Sequence, residues 1–548
     1  MHDDRNDPLG SVVKRVLSQY ISEYTMPNGV VGLLNSAFLT QAYVGEAAWR
    51  RLRQSGDLGE LSSGERANLE HRRFLVAEGE DEQRLAQLRA ARVRPFVEVM
   101  YLLVANTCNL GCRYCVVQKE HAQKTTGRLM SREVVDRALQ LFLAGTRADE
   151  PAVLLWGGEP LGNWEVVKYA IERTRELEKQ YGKQVKLSTV TNGTMLTQEI
   201  VNHLARNQVA CSISVDGLSD QHDAMRVYPD GRGSFADVMR NVALLKRAGV
   251  DFGISLTIGA HNVDVLPTMA RGLCRELETK HIGCSLLMNV DRAHPAYAAP
   301  ERVAGQLVRL YQELCADNIR ETTMARKVAS FGFGEERLHH CGAGDGQIAV
   351  MPNGDIGICH YAAAEGKWII GNVREPAEKL SCSSELTEWT RRSPVNMPQC
   401  QACPGLAMCG GGCPYEAHQT AGNLWALDER FCAHCKAAIQ WMMEELFRAR
   451  GTTETAGDAE WIYMTDVVAR ARFVRRFMPG LPETMLTATD QELQQLADGF
   501  RRDLGLASAA ATQDWMASRG IALELFEEFL SGGLLLGRLE QRLAEVAG

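Results

Sequence analysis

From about residue 96 the chain alternates short apolar or β-branched runs with amphipathic helical segments, and this alternation constrains the fold most strongly. It is typical of parallel β/α units, in which a helix connects each strand to the next. Six strands are predicted, at residues 97–104, 153–156, 186–191, 211–215, 253–258 and 282–288. Helices such as 131–144 and 164–181 lie between them. The pattern predicts an α/β fold, a partial (β/α)6 barrel of the TIM type, with ligands at the carboxyl ends of the strands.

The charge balance and the distribution of apolar residues limit the classes of partner. Lysine and arginine number 60 and aspartate and glutamate 68, giving a formal net charge of −8. This balance argues against a nucleic-acid partner. No apolar run approaches about 18 residues, and the N-terminus lacks an apolar stretch of signal-peptide length. We therefore expect a soluble, cytoplasmic protein without a membrane partner.

Four domains are expected: 1–95, 96–334, 335–450 and 451–548. The first begins with a helical stretch and contains a hairpin signal at Pro27-Asn28-Gly29. Predicted helices at 41–54 and 62–71 follow it, and this order suits a winged-helix-like module. The third domain is rich in cysteine and glycine, and periodicity predicts little regular core there.

The last domain, 451–548, is helical by pattern and follows a linker-like segment at 451–457. Its helices include a capping box of Thr489 and Glu492. An apolar stripe is formed by Leu523, Phe526 and Leu530. These features predict a small helical tail.

The sixteen cysteines are distributed unevenly. None occurs before Cys108 or after Cys435, and nine lie from Cys341 to Cys435. In a chain of this length such grouping favours metal binding over disulfide bonds.

Cys108, Cys112 and Cys115 follow the first predicted strand of the barrel in a single loop. Three thiolates on a cubane cluster leave one iron without a protein ligand, which suits a cluster that also binds a substrate or cofactor. The alternatives are a zinc loop with a distant fourth ligand, or three buried cysteines.

This C-x3-C-x2-C loop after the first strand resembles that of the radical S-adenosylmethionine (SAM) superfamily, and Tyr114 before the last cysteine also matches. The resemblance implies that Cys108, Cys112 and Cys115 hold a [4Fe–4S] cluster. Its open iron would chelate the amino and carboxylate groups of SAM.

Further segments match the cofactor-binding pattern of the superfamily at the ends of later strands. Gly157, Gly158, Glu159 and Pro160 follow the second strand, where exposed backbone and a carboxylate could receive the methionine ammonium. Weaker matches, with polar groups suited to ribose and carboxylate, are Asn192, Ser214 and Asp216. Arg226 either contacts the cofactor carboxylate or forms an ion pair with Asp223 or Asp216.

The second cysteine region resembles the SPASM domain of radical SAM peptide-modifying enzymes, which implies two auxiliary [4Fe–4S] clusters and three clusters in all. The resemblance assigns the outer cluster to Cys400, Cys403, Cys409 and Cys432. It assigns the inner cluster to Cys341, Cys359 and Cys413. Either Cys435 completes the inner site, or that site is open to a substrate thiolate. Two structural zinc sites are the alternative.

The remaining cysteines are expected to be inert residues that fill apolar strands, helices or loops. They are Cys211, Cys274, Cys284, Cys315 and Cys382.

Within this family, His360 follows Cys359 where sulfatase-maturating enzymes carry an Asp that is proposed as the base. The segment from Cys341 to His360 instead resembles maturases of ribosomally made peptides. The resemblance implies an oxidoreductase that abstracts a hydrogen with a 5′-deoxyadenosyl radical and forms an intramolecular thioether or carbon cross-link. The alternatives are a peptide epimerase, a formylglycine-forming sulfatase maturase or a small-molecule dehydrogenase. No catalytic base is identified.

The resemblance also implies partners. The winged-helix-like module would bind the leader of a precursor peptide through an exposed strand edge, or it would only cap the barrel. An electron donor such as flavodoxin or ferredoxin is expected.

Overall fold

The computed structural model of the chain describes residues 14–61, 63–91, 97–115, 128–288, 292–343, 346–376, 384–451 and 459–547. Residues 1–13, most of the linker-like segment and Cys382 lie outside the described residues. The helical stretch expected before Tyr24 is wrong in its described part, where the chain forms strands at Arg15–Leu17 and Ile21–Met26. None of the described helices has the length and apolar character needed to cross a membrane.

The N-terminal module contains two small antiparallel sheets and three helices. Strands β2, β3 and β4 form one sheet in that order, and β1 pairs with β5. Asn28 and Gly29 both have positive φ, at 61° and 68°, and turn the chain from β2 into β3, which confirms the predicted hairpin. The elements are β1 (Arg15–Leu17), β2 (Ile21–Met26), β3 (Val30–Asn35), β4 (Thr40–Gly45), α1 (Glu46–Ser55), α2 (Ser63–His71), β5 (Leu75–Ala77) and α3 (Glu80–Ala90).

The helix expected at 41–54 is partly wrong, because its first residues belong to β4. Val44 and Tyr43 pair with Val31 and Gly32 of β3 and are buried. Helix α1 begins only at Glu46, so strand pairing prevailed over the helical pattern in this segment.

The central sheet has ten strands in the order β12-β11-β10-β9-β8-β7-β6-β13-β14-β15. All pairs from β12 to β13 are parallel, and β14 and β15 are antiparallel. The six predicted strands are β6 to β11, in their predicted order, and the sheet extends beyond them at both edges. The strands are β6 (Val99–Ala105), β7 (Ala152–Gly157), β8 (Lys186–Thr191), β9 (Ala210–Ser214), β10 (Phe252–Ile258), β11 (His281–Leu286), β12 (Arg320–Glu321), β13 (Gln347–Val350), β14 (Asp355–Gly357) and β15 (Ile369–Asn372).

Helices between these strands bury their apolar faces on the sheet. In α5, Val167, Ala170 and Ile171 are almost fully buried in the same core as Leu155 of β7. Burial of each large aliphatic side chain contributes about 1.5–3 kcal/mol. The helices are α4 (Arg132–Gly145), α5 (Trp164–Tyr181), α6 (Gln198–Arg206), α7 (Ser219–Asp223), α8 (Phe235–Ala248), α9 (Leu266–Leu277), α10 (Pro300–Ala316) and α11 (Thr322–Phe333).

The cysteine-rich region contains more regular structure than expected. A 22-residue helix, α15, buries Trp441, Met442 and Met443 in a core shared with Tyr43 of β4 and Phe473 of the tail. The Gly410–Gly412 run and the cysteines up to Cys413 precede this helix, which begins after the Asp428 cap and carries Cys432 and Cys435 in its first two turns. The helices are α12 (His360–Ala364), α13 (Ser384–Arg391), α14 (Pro414–Ala421) and α15 (Glu429–Arg450).

The C-terminal region is helical, as expected. Thr489 and Glu492 form the predicted capping box. Phe526 and Leu530 are buried, but Leu523 is 53% exposed at the first residue of α20, so it does not continue the stripe. The helices are α16 (Ala459–Phe477), α17 (Glu483–Leu486), α18 (Asp490–Asp503), α19 (Ala509–Ala517) and α20 (Leu523–Ala547).

Candidate functional site

The three cysteines that follow β6 border one cavity. Cys108, Cys112 and Cys115 are partly buried and line a cavity of about 170 Å³ at the carboxyl ends of the parallel strands. Burial raises the pKa of Cys112 to about 12 against the lowering effect of Arg226. Because metals bind the thiolate form, a bound cation is needed to keep such a sulfur deprotonated. This donor set fits an iron–sulfur cluster.

Two glycines bring the end of β7 against the backbone that leads into the cysteine loop. A Cβ on Gly157 would lie 2.1 Å from the Ala105 carbonyl oxygen, and one on Gly158 would lie 2.4 Å from that of Thr107. Both glycines line the cavity. Their missing side chains therefore allow this close approach and leave main-chain atoms facing a ligand.

Asn192 connects the end of β8 to the cysteine loop. Its Nδ2 lies 3.5 Å from Cys108 Sγ and donates a hydrogen bond to Asn109 Oδ1 at 2.9 Å. Asn192 and Ser214 both line the cavity, which is the position that the sequence predicts for cofactor-binding groups.

Glu159 and Pro160 are buried beside the cavity, and neither is among the residues that line it. The Glu159 carboxylate accepts hydrogen bonds from Thr191 Oγ1 at 2.7 Å and from the amides of Asn192 and Leu161 at 2.8 and 3.0 Å. These hydrogen bonds hold the β7 and β8 loops together. The expected role of Glu159 in binding a methionine ammonium stays a prediction.

Asp216 and Arg226 form a buried ion pair, which is one of the two alternatives predicted for Arg226. Asp216 accepts hydrogen bonds from Arg226 Nε and Nη2 at 2.9 and 3.1 Å, from the Thr257 amide at 2.9 Å and from the Tyr114 hydroxyl. Arg226 and Tyr114 line the cavity, whereas Asp216 lies behind them. Asp223 instead accepts a hydrogen bond from the Phe235 amide at the start of α8.

Cys341, Cys359 and Cys413 form the inner group. Cys359 precedes α12 and Cys413 precedes α14, whereas Cys341 lies in the loop after α11. Burial raises the pKa of Cys413 well above its ordinary value, and the charges of Cys359 and Cys341 raise it further. The structure therefore brings these three thiols close together.

The outer group contains five of the described cysteines: Cys400, Cys403, Cys409, Cys432 and Cys435. Burial raises the pKa of Cys432 to about 12, and Cys409, Cys403 and Cys400 also raise it. Cys435 belongs here as well, because a Cβ added at Gly405 would lie 3.0 Å from Cys435 Sγ and 3.8 Å from Cys403 Sγ. Cys435 also shares a hydrogen bond with Cys409. Among the described cysteines, the inner group thus has three members and does not include Cys435.

The described part of the chain contains no group of three or more His, Cys, Asp or Glu side chains placed to hold a metal ion. The fit to iron–sulfur clusters rests on the number and grouping of the thiols. Cys211, Cys274 and Cys284 are buried in the apolar core, as predicted for filling residues.

Several aromatic residues near the inner group were not predicted. Trp156 and Tyr361 line the cavity, and Tyr361 also stacks on Tyr415 with ring centres 5.7 Å apart. His360 stacks on Tyr101 at 4.3 Å and meets the edge of Trp156 at 4.7 Å, and burial lowers its pKa to about 3. The only available signal was that Tyr361 lies two residues after Cys359.

Family comparison agrees with this arrangement. Residues 102–270 match the Radical SAM superfamily, and residues 341–404 match the SPASM family, an iron–sulfur cluster-binding domain. The solved structure of native anSMEcpe with bound AdoMet has a TM-score of 0.55 and 18% identity, covering 64% of this chain and 98% of that chain. The two proteins therefore share a fold.

Curated relatives are distant but cover much of the chain. A serine-type anaerobic sulfatase-maturating enzyme of Bacteroides thetaiotaomicron is 24% identical, over 60% of this chain and 85% of its own. The radical SAM cyclopropyl synthase TigE of Paramaledivibacter caminithermalis is 20% identical, over 64% and 74%. The subtilosin biosynthesis protein AlbA of Bacillus subtilis is 23% identical, over 56% and 65%.

The parallel sheet, the three-cysteine loop and the cavity beside it define a protein that uses SAM and a [4Fe–4S] cluster. The second cysteine region adds a domain that binds auxiliary iron–sulfur clusters. Residues 102–270 thus form a radical SAM domain and residues 341–404 a SPASM domain, and proteins similar to this chain include peptide and sulfatase maturases.

Proposed function

We propose that this protein is a maturase of a ribosomally made peptide and that it forms an intramolecular thioether or carbon cross-link. The observation that carries the proposal is the inner group, which has three cysteines among those described, because Cys435 lies with the outer group. A [4Fe–4S] cluster on three thiolates keeps one iron free for a further ligand. A cysteine thiolate of the peptide is a suitable ligand for that iron.

The cavity provides room for a substrate residue between the two centres. Its lining includes Cys108, Cys112 and Cys115 and also Trp156, Met288 and Tyr361. Tyr361 is also adjacent to the inner group, because the charge of Cys359 contributes to raising the pKa of its hydroxyl. A peptide side chain in the cavity would therefore be close to both groups of thiols.

Each residue has a distinct task in this proposal. When bound, the cluster and SAM supply a 5′-deoxyadenosyl radical that removes a hydrogen atom from an unactivated carbon. Arg226 lines the cavity with a positive charge suited to a carboxylate, while Asn192 and Ser214 present polar groups. Trp156, Tyr361 and Met288 exclude water from the same space.

The N-terminal module has a strand edge suited to a leader peptide. In the described residues, β2 pairs only with β3, whereas the other edge strand, β4, is bound by Arg72, which donates to the Gln41 carbonyl at 2.6 Å. An extended peptide that added to β2 would form main-chain hydrogen bonds. Tyr24 of β2 also lies near the outer group, since the charges of Cys435 and Cys403 add to the effect of burial in raising its pKa.

The test is the intact mass of a short peptide encoded beside the gene, after anaerobic co-expression with the protein. Joining a carbon to sulfur or to another carbon removes two hydrogen atoms for each link. A thioether also removes a free thiol, so alkylation with iodoacetamide distinguishes the two products. The Cys112→Ala variant should leave the peptide unmodified, and the Cys274→Ala variant serves as the matched control because Cys274 is buried in the barrel core.

Other outcomes identify the alternatives. An unchanged mass with a confirmed peptide would contradict cross-linking and favour an epimerase or a small-molecule dehydrogenase. Formylglycine formation is favoured by the sulfatase-maturating relatives. An aldehyde in the peptide would identify it, formed from cysteine with loss of sulfur or from serine with loss of two hydrogen atoms; a hydrazide label for aldehydes distinguishes the serine product from a cross-link. Against this reaction, His360 occupies the position of the expected Asp and is buried between aromatic rings.

A second experiment tests whether the inner cluster has only three protein ligands. Because Cys382 lies outside the described residues, a Cys382→Ala variant is compared with the wild type for iron content. Loss of about four irons would make Cys382 a ligand and contradict the open site.

A further inference from the structure

Arg392 is a buried arginine whose guanidinium is held by main-chain carbonyl groups. The residue is only 2% exposed. Nη1 donates to Gly412 O at 2.9 Å, Nη2 donates to Gly411 O at 2.8 Å and Ala426 O at 3.0 Å, and Nε donates to Leu424 O. These bonds fix the guanidinium between two loops.

One of these loops connects the two cysteine groups. Gly410, Gly411 and Gly412 lie between Cys409 of the outer group and Cys413 of the inner group. The three glycines have φ values of 73°, 79° and 74°, and a Cβ on Gly411 would lie 3.2 Å from Arg392 Nη1. The loop conformation therefore depends on glycine and folds tightly against the guanidinium.

The charges that act on Arg392 come from the cysteines. Burial lowers its pKa, and Cys413, Cys400, Cys409 and Cys341 raise it. Within the part of the chain that the structure describes, no carboxylate forms an ion pair with Arg392, and the main charges that raise its pKa are those of cysteines. A buried charge without a counter-charge is strongly unfavourable. Thiolates from both groups are therefore its counter-charge.

Other cations face the same region, among them Lys436, whose charge lowers the pKa of Cys432, and Lys327 and Arg337. Burial lowers the pKa of Lys327, while Cys435, Cys409 and Glu321 raise it. Arg337 has Glu335 among the charges that raise its pKa. Unlike Lys327 and Arg337, Arg392 has only cysteines among the main charges that raise its pKa.

We propose that Arg392 is a positioning residue that raises the reduction potentials of the auxiliary clusters through its fixed positive charge between the inner and outer groups. Adding one electron to a cluster adds one negative charge, which the guanidinium stabilises. Net charge and hydrogen bonding around a cluster set its potential. The proposal rests on the ligand assignment under the proposed function. It goes further by naming a residue that makes these clusters better electron acceptors.

The experiment is a redox titration of the full-length, iron-reconstituted protein, followed by electron paramagnetic resonance with dithionite as reductant. Signals that change when SAM is added belong to the barrel cluster and are set aside. Arg392→Gln removes the charge and Arg392→Lys keeps it. Arg175→Gln is the matched control, because Arg175 also donates to main-chain carbonyls, at Asn207 and Val185, but lies in the barrel.

We expect Arg392→Gln to lower the reduced-to-oxidised ratio of the auxiliary clusters about tenfold at a fixed potential, which corresponds to about 59 mV for one electron. Arg392→Lys should retain most of the wild-type ratio, and Arg175→Gln should not change it. Unchanged ratios in Arg392→Gln, or equal shifts in the Gln and Lys variants, would overturn the proposal.

Iron analysis separates the possible failures. A wild-type protein without the iron of auxiliary clusters would contradict the ligand assignment and not the role of Arg392. If Arg392→Gln loses iron, the Arg392→Lys variant distinguishes the two explanations. If Arg392→Lys keeps its iron and its cluster potentials, the result supports a role for the positive charge. If it also loses iron, Arg392 has a structural role only.

Discussion

Asp216 binds both Nε and Nη2 of Arg226, at 2.9 and 3.1 Å, directly behind the cavity that the three-cysteine loop borders. Asp216 is fully buried and Arg226 nearly so. The pair therefore fixes the orientation of Arg226, which is the one positively charged side chain among the described residues that line the cavity.

Replacing Asp216 with Asn should weaken SAM binding and destabilise the protein. Arg226 would keep its charge in a buried place without a partner, a change that costs about 3–5 kcal/mol. Thermal unfolding and the KM for SAM in 5′-deoxyadenosine formation measure the two effects.

The matched control is Asp237→Asn, because Asp237 pairs with the exposed side chains of Arg232 and Arg240. Loss of these surface ion pairs should cost less than about 1 kcal/mol. Equal effects of the two variants would show that the Asp216 pair has no special role.

Replacing Gly158 with Ala should disrupt the cysteine loop. The new Cβ would lie 2.4 Å from the carbonyl oxygen of Thr107, the residue before Cys108. Because this is a main-chain atom, the clash can be relieved only if the backbone moves. Overpacking of this kind costs about 1–3 kcal/mol. We expect a lower iron content and little 5′-deoxyadenosine.

Gly162→Ala provides the comparison in the same segment, because a Cβ there meets nothing within 4 Å. It should retain iron and activity. A Gly158→Ala protein with full iron and normal SAM cleavage would refute the close-approach argument.

Removing Cys435 should leave all clusters in place, because the outer group has four other cysteines. Removing Cys403 should release about four irons per chain. Iron analysis after anaerobic reconstitution measures both variants. If Cys435→Ala loses iron and Cys432→Ala does not, then Cys435 is the ligand and Cys432 the spare thiol.

Replacing Tyr361 with Leu should separate SAM cleavage from product formation. The Tyr361 ring lines the cavity and stacks on Tyr415, whereas the three cluster-loop cysteines are contributed by another segment. We expect at least about a tenfold loss of cross-linked peptide, equivalent to about 1.4 kcal/mol in the barrier, with 5′-deoxyadenosine still formed. Tyr361→Phe keeps the ring and should retain most product. Equal loss of both products in Tyr361→Leu would place the residue in cofactor binding instead.

Much of the barrel could be predicted because its signals are local. The six central strands and helix α5 repeat hydrophobic periods that depend only on neighbouring residues. The Thr489–Glu492 capping box is likewise local. The segment at 41–54 failed because pairing of β4 with β3, a tertiary contact, prevailed over its helical pattern.

In the candidate site, too, the features with local sequence signals could be predicted and those that depend on tertiary packing could not. The spacing of Cys108, Cys112 and Cys115 was sufficient to predict one loop facing one cavity. The sequence could not show that the Glu159 carboxylate accepts hydrogen bonds from the Thr191 hydroxyl and the Asn192 amide. That outcome depends on how the β7 and β8 loops pack against each other.

The sequence by itself determined the α/β class, the strand order and the two cysteine regions, because periodicity and spacing act over a few residues. Only the tertiary structure decided that Cys435 lies with the outer group, that Asp216 holds Arg226 and that Arg392 lies between two sets of thiols. These relationships join segments that are distant in the chain. They arise because buried charges and thiols must find partners from whichever loops the packed core brings together.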